Sequence, residues 1–318
     1  QKKFSVYAVG FYNQENLFDT CHDEGKKDYE YLPNKGWNGM KYTNKLRNMS
    51  KALADMGTDV LPNVGCAFIG LSEVENHKVL DALVDQAPLK ARNMKYVHIE
   101  GPDRRGIDCA LLYNPSLFSV KNVKLLPYVQ ELAKDSAFFT RGFLTVRGEM
   151  AGDDVAVIVC HWPSRFSGPF YRESAARQVK VIKDSLLNVN QEMKIFVMGD
   201  MNDDPVNKSM HVYLQAKPEI SQVGAGDMYN PWYNVLAKEG KGTLFYSGNW
   251  NLFDQIVITP NLLNKDAKKK DYSSLKYWKS HIFRRDYLIQ QEGQYKGAPL
   301  RTTAGGRWLN GYSDHLPV

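Results

Sequence analysis

Four times in this chain an apolar, β-prone run stops on a cluster of carboxylates and carboxamides. The clusters are Phe11-Tyr12-Asn13-Gln14-Glu15-Asn16-Leu17, Ile69-Gly70-Leu71-Ser72-Glu73-Val74-Glu75-Asn76, Val197-Met198-Gly199-Asp200-Met201-Asn202-Asp203 and, at the C-terminal end, Ser313-Asp314-His315-Leu316. Burying the runs makes strands of them. Their polar ends are costly to bury unpaired, so they must face water or gather around a partner. Gathered together, they make an oxygen-rich site for a hard cation with a histidine beside it.

The rest of the chain supplies strands and helices in alternation. Alternating or buried apolar runs predict strands over 4–12, 67–71, 96–99, 109–113, 143–149, 155–160, 195–198 and 253–258. The 143–149 and 155–160 runs form a hairpin around Gly152-Asp153. Leu46, Met49, Leu53 and Met56 repeat at helical spacing and predict a helix over 43–56, with further helices over 79–84 and 173–187. Residues 20–40, the charged 101–106 segment and the basic 265–279 segment read as loops. No repeat, low-complexity tract or linker divides the chain, so a single α/β domain over 1–318 is expected. A chain of 318 residues with 43% hydrophobic and 24% charged residues builds a sizeable core.

The formal charge of +6 suits a polyanionic or phosphate-bearing substrate as well as a generic solvated surface. Cys21, Cys66, Cys109 and Cys160 are too scattered for a zinc knuckle, and the last two lie in strand-like runs as small hydrophobes. No apolar stretch is long enough to span a bilayer. The chain begins at Gln1, which fits a cleaved export signal or a trimmed chain; export is the expectation.

Each polar cluster has a plain reading and a chemical one. Glu73 after a buried strand is a loop acid or a ligand for Mg²⁺ or Mn²⁺, ions that take one or two carboxylates and leave room for phosphate. Asp200 and Asn202, two apart behind Gly199, form an Asx turn or an extended pair facing one way, the Asp on a water and the Asn on a phosphate oxygen. Asn13 and Glu15 repeat that spacing. Asp254 sits inside an apolar run, where a carboxylate needs a partner. His315 is the first candidate for it and His161 the second, since an Asp fixes an imidazole's tautomer and raises its basicity.

The ordered set Asn13/Glu15, Glu73, His161, Asp200/Asn202, Asp254, Asp314/His315 resembles the endonuclease/exonuclease/phosphatase superfamily, which has a deoxyribonuclease-like fold. Gly199-Asp200-Met201-Asn202 and Ser313-Asp314-His315 are its most specific elements. The resemblance implies a four-layer α/β (α+β) sandwich, two mostly antiparallel β-sheets packed face to face and flanked by helices. It implies a Mg²⁺- or Mn²⁺-dependent phosphoric ester hydrolase. Glu73 looks like the main metal ligand, Asn13 a hydrogen-bonding neighbour, Glu15 and Asp314 acids of the metal region. Asp200 looks like the residue that activates water, with Asn202 on phosphate and Asp254–His315 a dyad. His161 stands where abasic-site endonucleases of this superfamily carry Asn, which argues against abasic-site repair.

Substrate is less legible. Arg165, and Arg104, Arg105 and Asp108 in the 101–106 region, are candidate substrate contacts or surface salt bridges. The run Lys268-Lys269-Lys270, with Lys276, Lys279, Arg284, Arg285 and interleaved aromatics, suits nucleic acid or a solvated insertion. Trp162-Pro163, Phe166, Phe170 and Tyr171 suit a lipid-facing hairpin or helix packing. A phosphate ester, small, lipid-borne or nucleic, is the expected partner, with a nuclease as the alternative and a catalytically silent binding module as the competing class. No obligate protein partner is indicated.

Overall fold

The computed structural model describes residues 3–132 and 138–318. One sheet contains β1 (Ala8–Leu17), β2 (Cys66–Val74), β3 (Lys95–His98) and β4 (Asp108–Tyr113) in the order β1-β2-β4-β3. The other contains β5 (Phe118–Leu126), β6 (Phe143–Met150), β7 (Asp153–His161), β8 (Lys194–Asp200), β9 (Ala216–Lys217), β10 (Met228–Tyr229) and β13 (Asp254–Ile258) in the order β5-β6-β7-β8-β13-β10-β9. A separate hairpin is formed by β11 (Leu244–Tyr246) and β12 (Asn249–Asn251). The pairs β1–β2, β7–β8 and β9–β10 are parallel and the other pairs within the two sheets antiparallel.

The two-residue period of the strands writes the layers. In β7, Val155, Val157 and Val159 face the opposite sheet, where they meet Phe11, Phe68 and Leu111. Ala156, Ile158 and Cys160 face outward onto Ala175, Ala176 and Val179 of helix α4 (Pro169–Val189). In the first sheet Ile69 and Leu71 face outward onto Met49, Leu53 and Leu80 of α1 (Gly39–Asp55) and α2 (His77–Val84). Helix, sheet, sheet, helix is the expected sandwich. The chain's end closes it: Phe11 and Val318 exchange backbone hydrogen bonds of 2.9 and 3.0 Å, which carries Asp314 and His315 to the polar end of β1.

Some boundaries differ from expectation for definable reasons. β1 starts at Ala8 and runs on through its polar cluster; Phe4 to Tyr7 lie outside it. β5 went unforeseen because a bulge between Val120 and Asn122 breaks its apolar alternation. α4 starts at Pro169, four residues early, with proline in the first turn where its missing N–H costs nothing. The β6–β7 hairpin turns at Ala151-Gly152, both with positive φ (53° and 84°), as a two-residue loop requires. Residues 265–273 are exposed as expected, but Leu275 and Tyr277 fold back onto the inter-sheet core.

Candidate active site

The polar clusters meet at one end of the inter-sheet layer. In the second sheet His161, Asp200 and Asp254 are direct neighbours across three strands, His161 opposite Asp200 and Asp200 opposite Asp254. They continue the rows of Val159, Met198 and Ile256, so all three face the first sheet. The strands touch closely here: a Cβ on Gly199 would collide with the Cys160 carbonyl, so Gly199 is there for close approach and not for a turn.

From the first sheet, Asn13 continues the inward row of Phe11. Glu73 does not: simple alternation from Ile69 and Leu71 would aim it at the helices. The pairing of β2 shifts between Leu71 and Val74, and Glu73 adopts φ 60°. This bulge turns its side chain inward. Glu15, Asn16 and Asn202 also hold positive φ of 44°, 54° and 49°. For non-glycine residues that conformation carries a cost and concentrates at functional sites.

Side-chain contacts then knit the two sheets. Asn13 Nδ2 donates to Glu73 Oε2 at 2.6 Å and to Asp200 Oδ2 at 3.0 Å. The Asn202 N–H donates to Asp200 Oδ1 at 3.0 Å. His161 Nε2 and His315 Nε2 lie 3.6 and 3.8 Å from Asp200 Oδ2. His315 Nδ1 is 2.7 Å from Asp254 Oδ2, the expected dyad, and the Thr243 hydroxyl donates to the same oxygen.

Burial is the main reason the Asp200 carboxyl is pushed up to about 7; Asp254 and Glu73 add to the rise, against the pull of His315 and the Asn202 N–H. Burial likewise opposes a charged His315, but Asp254, Asp200 and Asp314 outweigh it and hold the imidazolium well above its ordinary range. His161 goes the other way: burial, then Arg141, Arg105 and His315, keep it neutral.

Asn13, Glu73, His161, Asp200, Asp254 and His315 therefore converge. Glu15 and Asp314 stand beside them. Glu15 accepts from the Thr302 and Thr303 N–H groups at 3.1–3.2 Å, and burial followed by Asp314 pushes it up to about 7. Asp314 Oδ1 is 3.9 Å from His315 Nε2 and has no hydrogen-bond partner although buried. Asn202 Nδ2 donates to the Trp162 carbonyl at 2.8 Å, so this amide ties the β7 end to the Asp200 turn.

The substrate-contact residues fare differently. Arg105 reaches the centre, with Nη2 2.6 Å from Asn16 Oδ1 and 3.1 Å from Glu73 Oε1. Asp108, expected at the mouth, is buried and fixes the 101–106 loop through His98 Nε2 and the Gly101 N–H. Arg165 binds the Asn202 carbonyl, Asp204 and Asn207 and covers the Phe253 ring, so its fork already has partners within the 202–207 turn. Arg172 is buried against Asp203.

Sequence reasoning missed four supports. Arg141 donates to the His161 and Trp162 carbonyls and pairs with Asp103 at 3.0 Å, joining the loop to the β7 end. Thr243 orients Asp254. Arg301 lies 3.7 Å from Glu15 and 3.4 Å from Asp314. Lys45 is fully buried, donates to Thr302 Oγ1 and the Tyr312 carbonyl, and is pulled down to about 8 by burial despite Glu15, Asp314 and Glu73. Only Lys45 had a signal: it shares the apolar face of α1 with Met49 and Ala52.

The donor set fits a hard divalent cation. Glu73, His161 and Asp200 offer ligand atoms within 4.8 Å of one another, and the unpartnered Asp314 oxygen is nearby.

Residues 8–318 match the Endonuclease/Exonuclease/phosphatase family, and the chain belongs to it. As a member, it is a phosphoric ester hydrolase. Solved structures share the fold. A Bacteroides thetaiotaomicron mannosyl-6-phosphatase aligns over 98% of this chain and 97% of its own, with TM-score 0.56 and 13% identity. D. rerio TDP2 humanised by 14 mutations aligns over 97% and 95%, with TM-score 0.53 and 13% identity. ANGEL2, a 2',3'-cyclic phosphatase, aligns over 80% and 82%, with TM-score 0.53 and 13% identity. No curated protein sequence matches the chain.

Proposed function

We propose that this chain hydrolyses a small, polar phosphate ester with Mg²⁺ or Mn²⁺, by in-line attack of a water activated at Asp200. The observation that carries the reading is the row His161–Asp200–Asp254 with His315 behind it, two imidazoles on either side of one buried carboxylate. Asp200, pushed up to about 7, is matched to accept a proton from water near neutral pH. Its Oδ1 is held by the Asn202 N–H, and Oδ2, which also accepts from Asn13, faces the reacting water. His315, charged through Asp254, donates from Nε2 to the phosphoryl oxygens as negative charge develops on them. His161 presents a neutral ring from the opposite side. Glu73, bridged to Asp200 by Asn13, is the residue to hold the cation, which neutralises phosphoryl charge and lowers the cost of deprotonating water. Arg105, half exposed and bound to Glu73 by one long contact, can redirect to a substrate oxygen.

A small substrate is favoured over duplex nucleic acid by where the basic run lies. Lys276 bonds the Asn261 carbonyl just past the end of β13, while the catalytic residues stand where β13 begins. The neighbouring strand β8 separates the two ends by seven residues, about 20 Å. A polyanion bound on that run would not cross the cleft.

The test is a panel with Mg²⁺ or Mn²⁺: nitrophenyl phosphate, phosphosugars, bis-nitrophenyl phosphate, sphingomyelin, plasmid and abasic DNA. Turnover of the small esters and none of plasmid is expected; efficient plasmid nicking overturns the substrate class, and full activity in excess chelator overturns the metal. Glu73→Gln should lose about 100-fold or more in kcat with little change in Tm, since Gln keeps the shape and removes the charge.

A further inference from the structure

We propose that the opposite end of the sandwich is a second binding site, for a single-chain anionic lipid: a long apolar tail carrying one carboxylate or phosphate head. A cavity of about 790 Å³ opens there between the two sheets. Its floor is Val9, Phe196, Ile256, Ile258, Leu262 and Trp232, the apolar inter-sheet rows continued away from the catalytic residues. Protein interiors close to near-crystal density and leave few voids larger than a water. An apolar space of this size falls in the range of ligand sites, roughly 300–1,000 Å³.

The charged side chains at the mouth are mostly cationic. Lys3, Lys276 and Lys279 line it, with the hydroxyls of Ser5 and Ser273. Its only carboxylate side chain among the described residues, Asp59, is held by Arg285 at 2.8 Å and faced by His281 at 3.8 Å. Lys276 shares the Asn261 carbonyl with Lys194, at 2.9 and 2.7 Å, and neither ammonium makes an ion pair among the described residues. Burial and then the nearby Lys276 pull Lys194 down, against the opposing pull of Asp153, Glu192 and Asp271. An anionic head would add the direct ion pair that neither ammonium makes among the described residues. Phe4 and Trp278 stand 60% and 58% exposed at the rim, apolar surface that a bound tail would cover. Water-soluble polyanions would leave the floor wet, and an uncharged tail would leave the lysines unanswered.

The experiment is titration of the whole chain with dodecanoate, dodecyl phosphate, dodecanol and octanoate below their micellar concentrations, read by tryptophan fluorescence and calorimetry. Saturable one-to-one binding is expected. Both anions should bind at least tenfold tighter than dodecanol. Dodecanoate should exceed octanoate by roughly 250-fold, since each of its four extra methylenes, once buried, strengthens binding about fourfold. Lys276→Glu with Lys279→Glu should remove the preference for anions; Lys279→Glu alone, at an exposed position, should weaken it if the double variant fails to fold. His315→Ala should bind as the wild type does, which separates this site from the catalytic cleft. Unsaturable uptake, equal affinity for dodecanol, no dependence on chain length, loss in His315→Ala, or binding only to anionic phosphatidylglycerol vesicles overturns the proposal.

Discussion

The two flanks of Asp200 are built from the same side chain and reach opposite results. His161 and His315 are both buried, and each points Nε2 at one oxygen of Asp200, at 3.6 and 3.8 Å. What differs is behind each ring. His315 backs onto Asp254, itself fully buried and oriented by Thr243, with Asp314 alongside. His161 leaves Nδ1 without a partner and has Arg141 and Arg105 for charged neighbours. Burial pushes both toward neutrality; the carboxylates behind His315 overturn it, while the guanidiniums beside His161 reinforce it. In the proposed reaction one face of the phosphoryl group would meet an imidazolium and the other a neutral ring, so the two histidines are not interchangeable.

The sharpest way to break this asymmetry is at Asp254. Asp254→Asn leaves the shape and removes the charge that holds His315 protonated. A loss of about 100-fold or more in kcat is expected, matching His315→Ala. The two act as a unit, so the double variant should sit close to the worse single one. Strictly additive losses in steady-state rates would separate them and end the dyad.

On the other flank, His161→Ala should also lose about 100-fold, and combined with His315→Ala it should lose more than either alone but less than their product, because both rings face the same Asp200 oxygen. A near-wild-type rate for His161→Ala would show that this flank only fills space. Arg141→Met probes the cause of its neutrality with a smaller effect, about tenfold in kcat. Removing that cation should move His161's titration up only in part, since burial remains the larger cause, while leaving His315 in place, followed by NMR in chelator. Movement of both histidines together would show that the flanks are not independently set.

The same comparison explains what could be read in advance. The inward rows of β7, β8 and β13 obey a two-residue period, so His161 and Asp200 were legible as strand-end residues and Asp254 as a carboxylate within an apolar run. The Gly199-Asp200-Met201-Asn202 and Ser313-Asp314-His315 elements set their order. Glu73 reaches the cleft only through a bulge at φ 60°, and no local signal in Leu71-Ser72-Glu73-Val74 announces that reversal. Charge partners were the least legible. Arg165 and Asp108 looked available because their partners, Asp204, Asn207, His98 and the Gly101 N–H, come from the fold and not from adjacent sequence. Arg141 was invisible for the same reason. Asn76, one of the polar residues after β2, proved to be the cap of α2, accepting from the Lys78 and Val79 N–H groups.

Glu75 is the converse of Asp254: as withdrawn from water, but with acids for neighbours and no imidazole against it. Its Oε2 accepts the Asp19 N–H at 2.7 Å, and its Oε1 has no partner. Burial, then Asp19, Asp23 and Asp28, raise it to about 8. Unfolded, it returns to about 4.3. Between those values the folded chain holds a proton that the unfolded chain has released. The stability this contributes is complete below pH of about 4.3 and is lost as pH rises through about 8. Glu75→Gln, neutral at every pH, escapes that loss while keeping an acceptor for the Asp19 N–H. In chelator its Tm should match the wild type at pH 4 and exceed it at pH 8.5 by at least about 2–4 °C, the scale of roughly 1 kcal/mol in a chain of this size. This is the smallest effect expected, and its sign is the informative part. A Tm below wild type at pH 8.5 would mean that Glu75 is ionised in the fold and that its negative charge is used there, as the charge of Asp254 is.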